Sequence, residues 1–169
     1  AESEALIYAI KHSIDNKTPF INFCSGGGMR MMASAVSLTK GMAATTIAIN
    51  ELKKNKLPYI VCVVDPMAGG ISASYGMTGD IIMGEVGALC AFAGRRVVQA
   101  TVKQELPDDF QSVEFCQKHG FIDKVVHRKE LGHEIGNLLS ILLKKNTEVN
   151  LNSENETSDN FEKITKAAS

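Results

Sequence analysis

An α/β fold of repeated strand, turn and helix units is the architecture this sequence predicts, and three observations predict it. Two short, almost wholly apolar runs each end in a cluster of glycines, and a small-residue stretch with helical character follows each. The two units stand 42 residues apart, counted from Gly28 to Gly70. Apolar runs without alternation suit strands buried on both faces, as parallel strands are when helices cover them.

The elements follow in order. Residues 4–14 place Ala5, Leu6, Ala9, Ile10 and Ile14 on one helical stripe, which Asp15-Asn16 ends ahead of Pro19. Phe20 to Cys24 reads as a buried strand stopping at Ser25-Gly26-Gly27-Gly28. A long Ala- and Met-rich helical pattern runs from about Met31 to Lys54, and its closing Lys53 and Lys54 suit a helix C-terminus. Leu57 to Val64 predicts the second strand, then the turn Asp65-Pro66-Met67-Ala68-Gly69-Gly70, then a helix over ISASYGM. Shorter strands are expected at Asp80 to Gly84, Ala88 to Phe92 and Ile122 to Val126. Helices are expected at Arg95 to Glu105, Ser112 to His119 and Leu131 to Lys144. The polar, acidic stretch from Asn146 onward lacks apolar periodicity and is expected to be a disordered tail, giving a folded domain over 1–145 and a tail over 146–169.

Composition narrows the function. A chain of 169 residues holds one domain with a real core. Eighteen Lys+Arg against nineteen Asp+Glu leave a net charge of −1, so no global basic field draws nucleic acid or an anionic membrane. The apolar runs fall far short of the roughly 20 residues that cross a bilayer, and the acidic start lacks the order of a signal peptide. A soluble, intracellular protein is expected. Cys24, Cys62, Cys90 and Cys116 have no close-spaced partner of the zinc-binding kind and read as buried thiols.

The glycine turns carry the chemistry. The start of a helical turn leaves backbone N–H groups without partners, and glycine lets a ligand reach them. Two such turns on neighbouring strands could aim amides at one developing oxyanion. Sharp turning and close packing are the structural alternative for the same glycines. GGGMRM is not a phosphate loop and GxGxxG is absent, which excludes nucleotide hydrolysis and dinucleotide binding as leading readings. His12, His119, His127 and His133 lie outside the turns, and Asp65 and Asp80 read as turn chemistry. A site of backbone donors without a committed side-chain base suits a reaction whose substrate or cofactor brings its own base. Arg95 and Arg96 stand at an expected helix start, where cations are disfavoured unless an anion is near, so they point either to a substrate phosphate or carboxylate or to a solvated surface.

Four stretches then show a resemblance. FCSGGGMRM, LPYIVCVVDPMAGGISASYGMTGDI, FAGRRVVQATVKQELPDDFQSVEF and HGFIDKVVHRKEL, taken in order, resemble the carboxyltransferase beta subunits of bacterial and plastid acetyl-CoA carboxylase. The resemblance runs from about Glu4 to Leu143. It implies a crotonase-like α/β fold of stacked strand-strand-helix units, incomplete at its N-terminus and without the family's N-terminal zinc ribbon, hence no metal in this chain. The implied activity is transfer of a carboxyl group from carboxybiotin to acetyl-CoA, giving malonyl-CoA for fatty acid synthesis.

The same resemblance implies Gly69 and Gly70 as oxyanion amides, with Gly28 and Met29 beside them. It makes Gly27, Arg30, Phe92, Gly94, Arg95 and Arg96 the candidates for substrate binding. Its implied partners are a carboxyltransferase alpha subunit, the biotin carboxyl carrier protein and biotin carboxylase, in the bacterial cytoplasm or a plastid, with a separate chain carrying the N-terminal half as a further possibility. No membrane or nucleic acid is implied. The family's Gln-Glu-Gly after the first turn is here Met32-Ala33-Ser34, and its DPTTGG is here DPMAGG. A non-catalytic scaffold subunit and another acyl-CoA enzyme of the same fold are the alternative readings.

Overall fold

The computed structural model describes residues 2–27 and 41–143. Gly28, Met29, Arg30, the first part of the expected long helix and the expected tail lie outside the described residues. The chain divides into two compact units, Ala1–Gly132 and His133–Ser169.

Within the first unit, α1 (Glu2–Asn16) carries Glu2 and Glu4 in its first turn, as the helix dipole favours. It packs on α2 (Ala44–Lys54), whose Thr45, Ile49 and Leu52 form the buried stripe. Between them in sequence comes β1 (Phe20–Gly26). The second strand, β2 (Tyr59–Ala68), is the centre of the fold: Tyr59, Ile60, Val61, Cys62 and Val63 are all fully buried. That is why its sequence reads as a continuous apolar run.

Three parallel strands lie side by side in chain order. β1 pairs with β2 from Phe20 opposite Tyr59, and β2 pairs with β3 (Ile81–Glu85) from Ile60 opposite Ile81. β5 (Lys124–Val126) continues the sheet beyond β3, also parallel. Past Val63 the second strand leaves β3, and Met67 and Ala68 pair instead with β4 (Cys90–Ala91). The expected turn at Asp65-Pro66 is therefore strand, and β2 runs four residues beyond the expected end at Val64. Asp65 makes the extension possible, because its carboxylate accepts the Leu89 N–H at 2.9 Å.

The expected α-helix over ISASYGM does not form. Turns occupy residues 71–74 and a single 3₁₀ turn follows at Tyr75–Met77. Serine hydroxyls compete for the carbonyls a helix would use: Ser72 Oγ donates to Gly69 O at 2.9 Å and Ser74 Oγ to Gly70 O at 2.6 Å. Gly76 then packs so closely that a Cβ would stand 2.7 Å from Met67 Sδ and 2.8 Å from Ile71 O.

The later elements follow the sequence pattern with tighter ends. α3 (Arg95–Val102) stops at Lys103, which takes a left-handed conformation at φ 55°. α4 (Val113–Lys118) begins at Ser112, whose side chain accepts the Phe115 N–H as an N-cap. α5 (Leu131–Leu142) is the last described helix. No helix among the described residues is long and apolar enough to cross a membrane.

Candidate functional site

The two glycine turns meet. Gly26 lies opposite Met67, across a break in register that follows Cys24, and a Cβ on Gly27 would stand 3.2 Å from Ala68 Cβ. A cavity of about 410 Å³ opens where they join, with Ser25, Gly26 and Gly27 on one side and Ala68, Gly70, Ile71, Ser74 and Tyr75 on the other. Glu2 and Ser3 of α1 close one end.

The second turn is built to present amides. Gly69 takes φ +67°, which favours glycine, and its own N–H is already engaged, donating to Ala91 O at 3.2 Å and Phe92 O at 3.1 Å. The next amides, those of Gly70 and Ile71, have no acceptor among the described residues. They open a helical turn that closes with Ala73 N–H donating to Gly69 O, so they are the amides such a turn leaves over. Gly69, expected with Gly70 as a donor, thus has its N–H engaged within the fold, while the N–H groups of Gly70 and Ile71 have no acceptor among the described residues.

Buried hydroxyls hold this turn in place. Ser72 Oγ lies 2.7 Å from Ala91 O as well as 2.9 Å from Gly69 O, joining the turn to β4. Tyr59 Oη donates to Tyr75 O at 2.7 Å and receives the Asn22 side-chain amide at 3.3 Å. Farther along, Gln111 Nε2 reaches Ala93 O, so β4 and the segment after it are braced from behind. Sequence reading did not single out Ser72, Tyr59 or Gln111 as supports. Serines two apart beside a double glycine were the available signal for the first, and nothing local marks the others.

Among the described residues, Glu2 and Tyr75 are the ionisable side chains that line the cavity. Burial, and after it the nearby Glu2 carboxylate, pushes the Tyr75 hydroxyl up to about 12. Tyr59 is raised by burial too. All four histidines are exposed, and His12, His119 and His127 do not line the cavity. The four cysteines are buried free thiols, as expected, and burial raises Cys24 and Cys90 to about 12 and Cys62 to about 11. Asp80 accepts the Tyr59 N–H at 2.9 Å and pairs with Lys53 at 3.1 Å, a structural use. Among the described residues no three His, Cys, Asp or Glu side chains are grouped to hold a metal.

The remaining candidates separate. Gly27 lines the cavity with Gly70. Phe92 is 71% exposed and lines a different groove, with Ala73, Met77 and Phe121. Gly94 caps α3. Arg95 donates to Leu106 O at 2.8 Å and Asp108 O at 3.1 Å, so its guanidinium ties down the following loop. Arg96 is exposed. Gly28, Met29 and Arg30 lie outside the described residues.

A profile described as the carboxyl transferase domain matches residues 1–167. The acetyl-coenzyme A carboxylase carboxyl transferase subunit beta of Pelagibacter ubique is 60% identical over 169 residues, all of this chain and 54% of that protein. The subunit of the same name from Caulobacter vibrioides is 47% identical over 143 residues, 85% of this chain and 46% of that one. A Natranaerobius thermophilus protein named as subunits beta/alpha is 47% identical over 138 residues, 82% of this chain and 23% of its own. The chain spans about half the length of the beta subunits it matches.

Transcarboxylase 12S, solved with methylmalonyl-coenzyme A and methylmalonic acid bound, superposes with a TM-score of 0.71 at 24% identity, over 82% of this chain and 27% of that one. A Pseudomonas malonate decarboxylase hetero-dimer gives 0.62 at 19% identity, over 84% and 61%. These likenesses establish a crotonase-type α/β fold with a parallel sheet. With the profile spanning nearly every residue and the fold agreeing, the chain belongs to the carboxyl transferase domain family.

Proposed function

We propose that this chain forms one half of a carboxyltransferase site, in which the Gly70 and Ile71 amides bind the thioester oxygen of acetyl-CoA while a carboxyl group arrives from carboxybiotin to give malonyl-CoA. The observation that carries the reading is a pair of amides, with no acceptor among the described residues, on the wall of the cavity where the two turns meet. Preorganised N–H donors stabilise an enolate oxygen at the moment charge develops there. Tyr75, whose hydroxyl burial and the Glu2 carboxylate push up to about 12, is not the base. Carboxybiotin, on loss of its carboxyl group, supplies the base that takes the acetyl proton, which suits a cavity without a histidine.

A single turn of this kind serves one oxygen. The biotin oxygen needs its own donors, which supports a second carboxyltransferase chain of the alpha type as partner, with the carrier protein and biotin carboxylase completing the complex. The Natranaerobius relative, named as subunits beta/alpha, favours this pairing.

Gly70→Val is the direct test. Its side chain would fill the approach to the amides, and loss of one oxyanion donor alone costs on the order of 10²–10³ in rate. Malonyl-CoA formation by the assembled complex should be abolished with folding and assembly intact. A variant that assembles and keeps more than about a tenth of its activity removes the role given to these amides. The chain without its alpha-type partner should show no turnover.

A further inference from the structure

Asp65 sits where β2 changes neighbours. Up to Val63 the strand pairs with β3, and from Met67 it pairs with β4, a strand of only two residues. A strand this short brings few ladder bonds of its own, so each bond that sets its register counts. Leu89, immediately before it, accepts the Met67 N–H at 2.8 Å. In a regular parallel ladder the Leu89 N–H would then go to the backbone carbonyl two residues before Met67, that of Asp65. Here the Asp65 carboxylate takes that N–H instead, at 2.9 Å.

The exchange frees the carbonyl for a second use. Asp65 O accepts from Ser25 Oγ of the first glycine turn at 3.3 Å. One residue therefore meets the first turn through its carbonyl and the segment before β4 through its side chain. β4 in turn holds the second glycine turn. Ala91 O and Phe92 O accept the Gly69 N–H, and Ala91 O also accepts from Ser72 Oγ. A shift of β4 along β2 would carry those carbonyls with it and turn the Gly70 and Ile71 amides away from the cavity.

The setting separates this role from acid–base chemistry and from stability. Asp65 is not among the described residues that line the cavity, so its carboxylate is not placed to exchange protons with a substrate bound there. Asp65 is exposed and Leu89 is 38% exposed, so water can take up the Leu89 N–H once the carboxylate is gone, and the fold loses little. What is lost is the fixed position.

We propose that Asp65 is a positioning residue for carboxyl transfer, registering β4 through the Leu89 N–H so that the second turn keeps its amides aimed at the thioester oxygen. The inference rests on the role proposed for the Gly70 and Ile71 amides and adds to it a residue outside their cavity.

The assembled complex carries the test. Asp65→Ala should lower kcat at least about tenfold, with KM for acetyl-CoA within about twofold of wild type. Asp65→Asn keeps an oxygen at the same reach and should stay within about threefold of wild type, although the nearby Arg128 guanidinium then loses the Asp65 charge. Calorimetric titration with a CoA thioether bearing a carboxylate in place of the reacting carbonyl gives a readout that a mere loss of folded protein does not move. Asp65→Ala should weaken its Kd at least about tenfold at unchanged stoichiometry, with the Kd for coenzyme A itself unchanged. If Asp65→Ala does not assemble, Asp65→Glu, which moves the oxygen out by one methylene, is read in its place. An Asn variant as slow as the Ala variant would make charge the cause and overturn the proposal. So would a fallen stoichiometry with the Kd intact. Gly70→Val, measured alongside, tells the two readings apart: turnover lost there but kept in Asp65→Ala sinks this inference alone, and turnover kept in Gly70→Val sinks both.

Discussion

The two glycine turns read alike in the sequence and differ in how they are held. At the first, β1 ends in Gly26 at φ +141°, with Ile71 Cδ1 2.9 Å from where a Cβ would be, and Ser25 Oγ reaching Asp65 O at 3.3 Å. At the second, Gly69 is tied by its N–H to two carbonyls beside it, and Ser72 and Ser74 hold the carbonyls of Gly69 and Gly70. Among the described residues the first turn is held by close packing and one side-chain hydrogen bond, and the second by several hydrogen bonds in a buried setting. Fastening matters where amides must stay aimed at a reacting oxygen, because preorganisation is what such donors contribute.

The largest expected effect breaks this contrast directly. Gly69→Val puts a β-branched residue at φ +67°, where an L-residue is strained by roughly 1–2 kcal/mol before any clash is counted. Misaiming the Gly70 and Ile71 amides should cost on the order of 10² or more in kcat. Gly27→Ala adds a methyl 3.2 Å from Ala68 Cβ at a position without a left-handed backbone, so a shift of a few tenths of an ångström is all it demands and it should lose far less. Steady-state kinetics of the two complexes compare them. Equal losses would mean that the second turn is no more specialised than the first.

Ser72→Ala comes next and sharpens the point, because it removes the fastening and leaves the backbone free to stay. The lost hydrogen bonds should cost about 1 kcal/mol of stability, and kcat should fall about tenfold with KM for acetyl-CoA nearly unchanged. Ser72→Thr keeps a hydroxyl and should recover most of the rate. A rise in KM alone would place Ser72 in binding rather than in holding the turn.

How much of this was legible follows from how local each signal is. The run YIVCVV gives β2 because burial on both faces leaves no alternation to misread, and Thr45, Ile49 and Leu52 give α2 by their spacing. ISASYGM misleads because propensity favours a helix of small residues, whereas the bonds from Ser72 to Ala91 and the contact of Gly76 with Met67 come from elsewhere in the chain. Asp65-Pro66 misleads for the same reason: its turn chemistry is local, and its partner Leu89 is 24 residues away. The candidate cavity was half legible. Glycines announce where backbone can be approached, but which of their amides remain free depends on carbonyls that only folding brings near.

Arg95 and Arg96 divide in the structure although they are adjacent in sequence. Arg95 is bonded to Leu106 O and Asp108 O, so Arg95→Gln should loosen that loop and lower thermal stability with a modest change in KM. Arg96 is the one left to meet an anion from solvent. Arg96→Gln should raise KM for acyl-CoA by a few-fold, less as salt is raised, with kcat unchanged. An unchanged KM at low salt would leave Arg96 on an ordinary solvated face.

The smallest effect is expected where the hold is electrostatic and open to water on one side, at the end of β3. The Arg128 guanidinium donates through Nε and Nη2 to the two carboxylate oxygens of Glu85, the second at 2.8 Å, and Arg128 is 69% exposed. That hydrogen bonding holds the Glu85 carboxyl below its ordinary range. A carboxyl lowered by folding stabilises the folded chain fully above the unfolded pKa, and the contribution is lost as pH falls through the folded one. Glu85→Gln should therefore lower the melting temperature slightly at neutral pH, and the gap from wild type should close as the solution is made acid. Added salt should narrow the gap at neutral pH as well, since the Arg128 end of the pair is exposed and screened. A gap that persists unchanged in acid and in salt would mean that Glu85 acts through packing, and that this end of the sheet is held in the same way as the braced turn at Gly69.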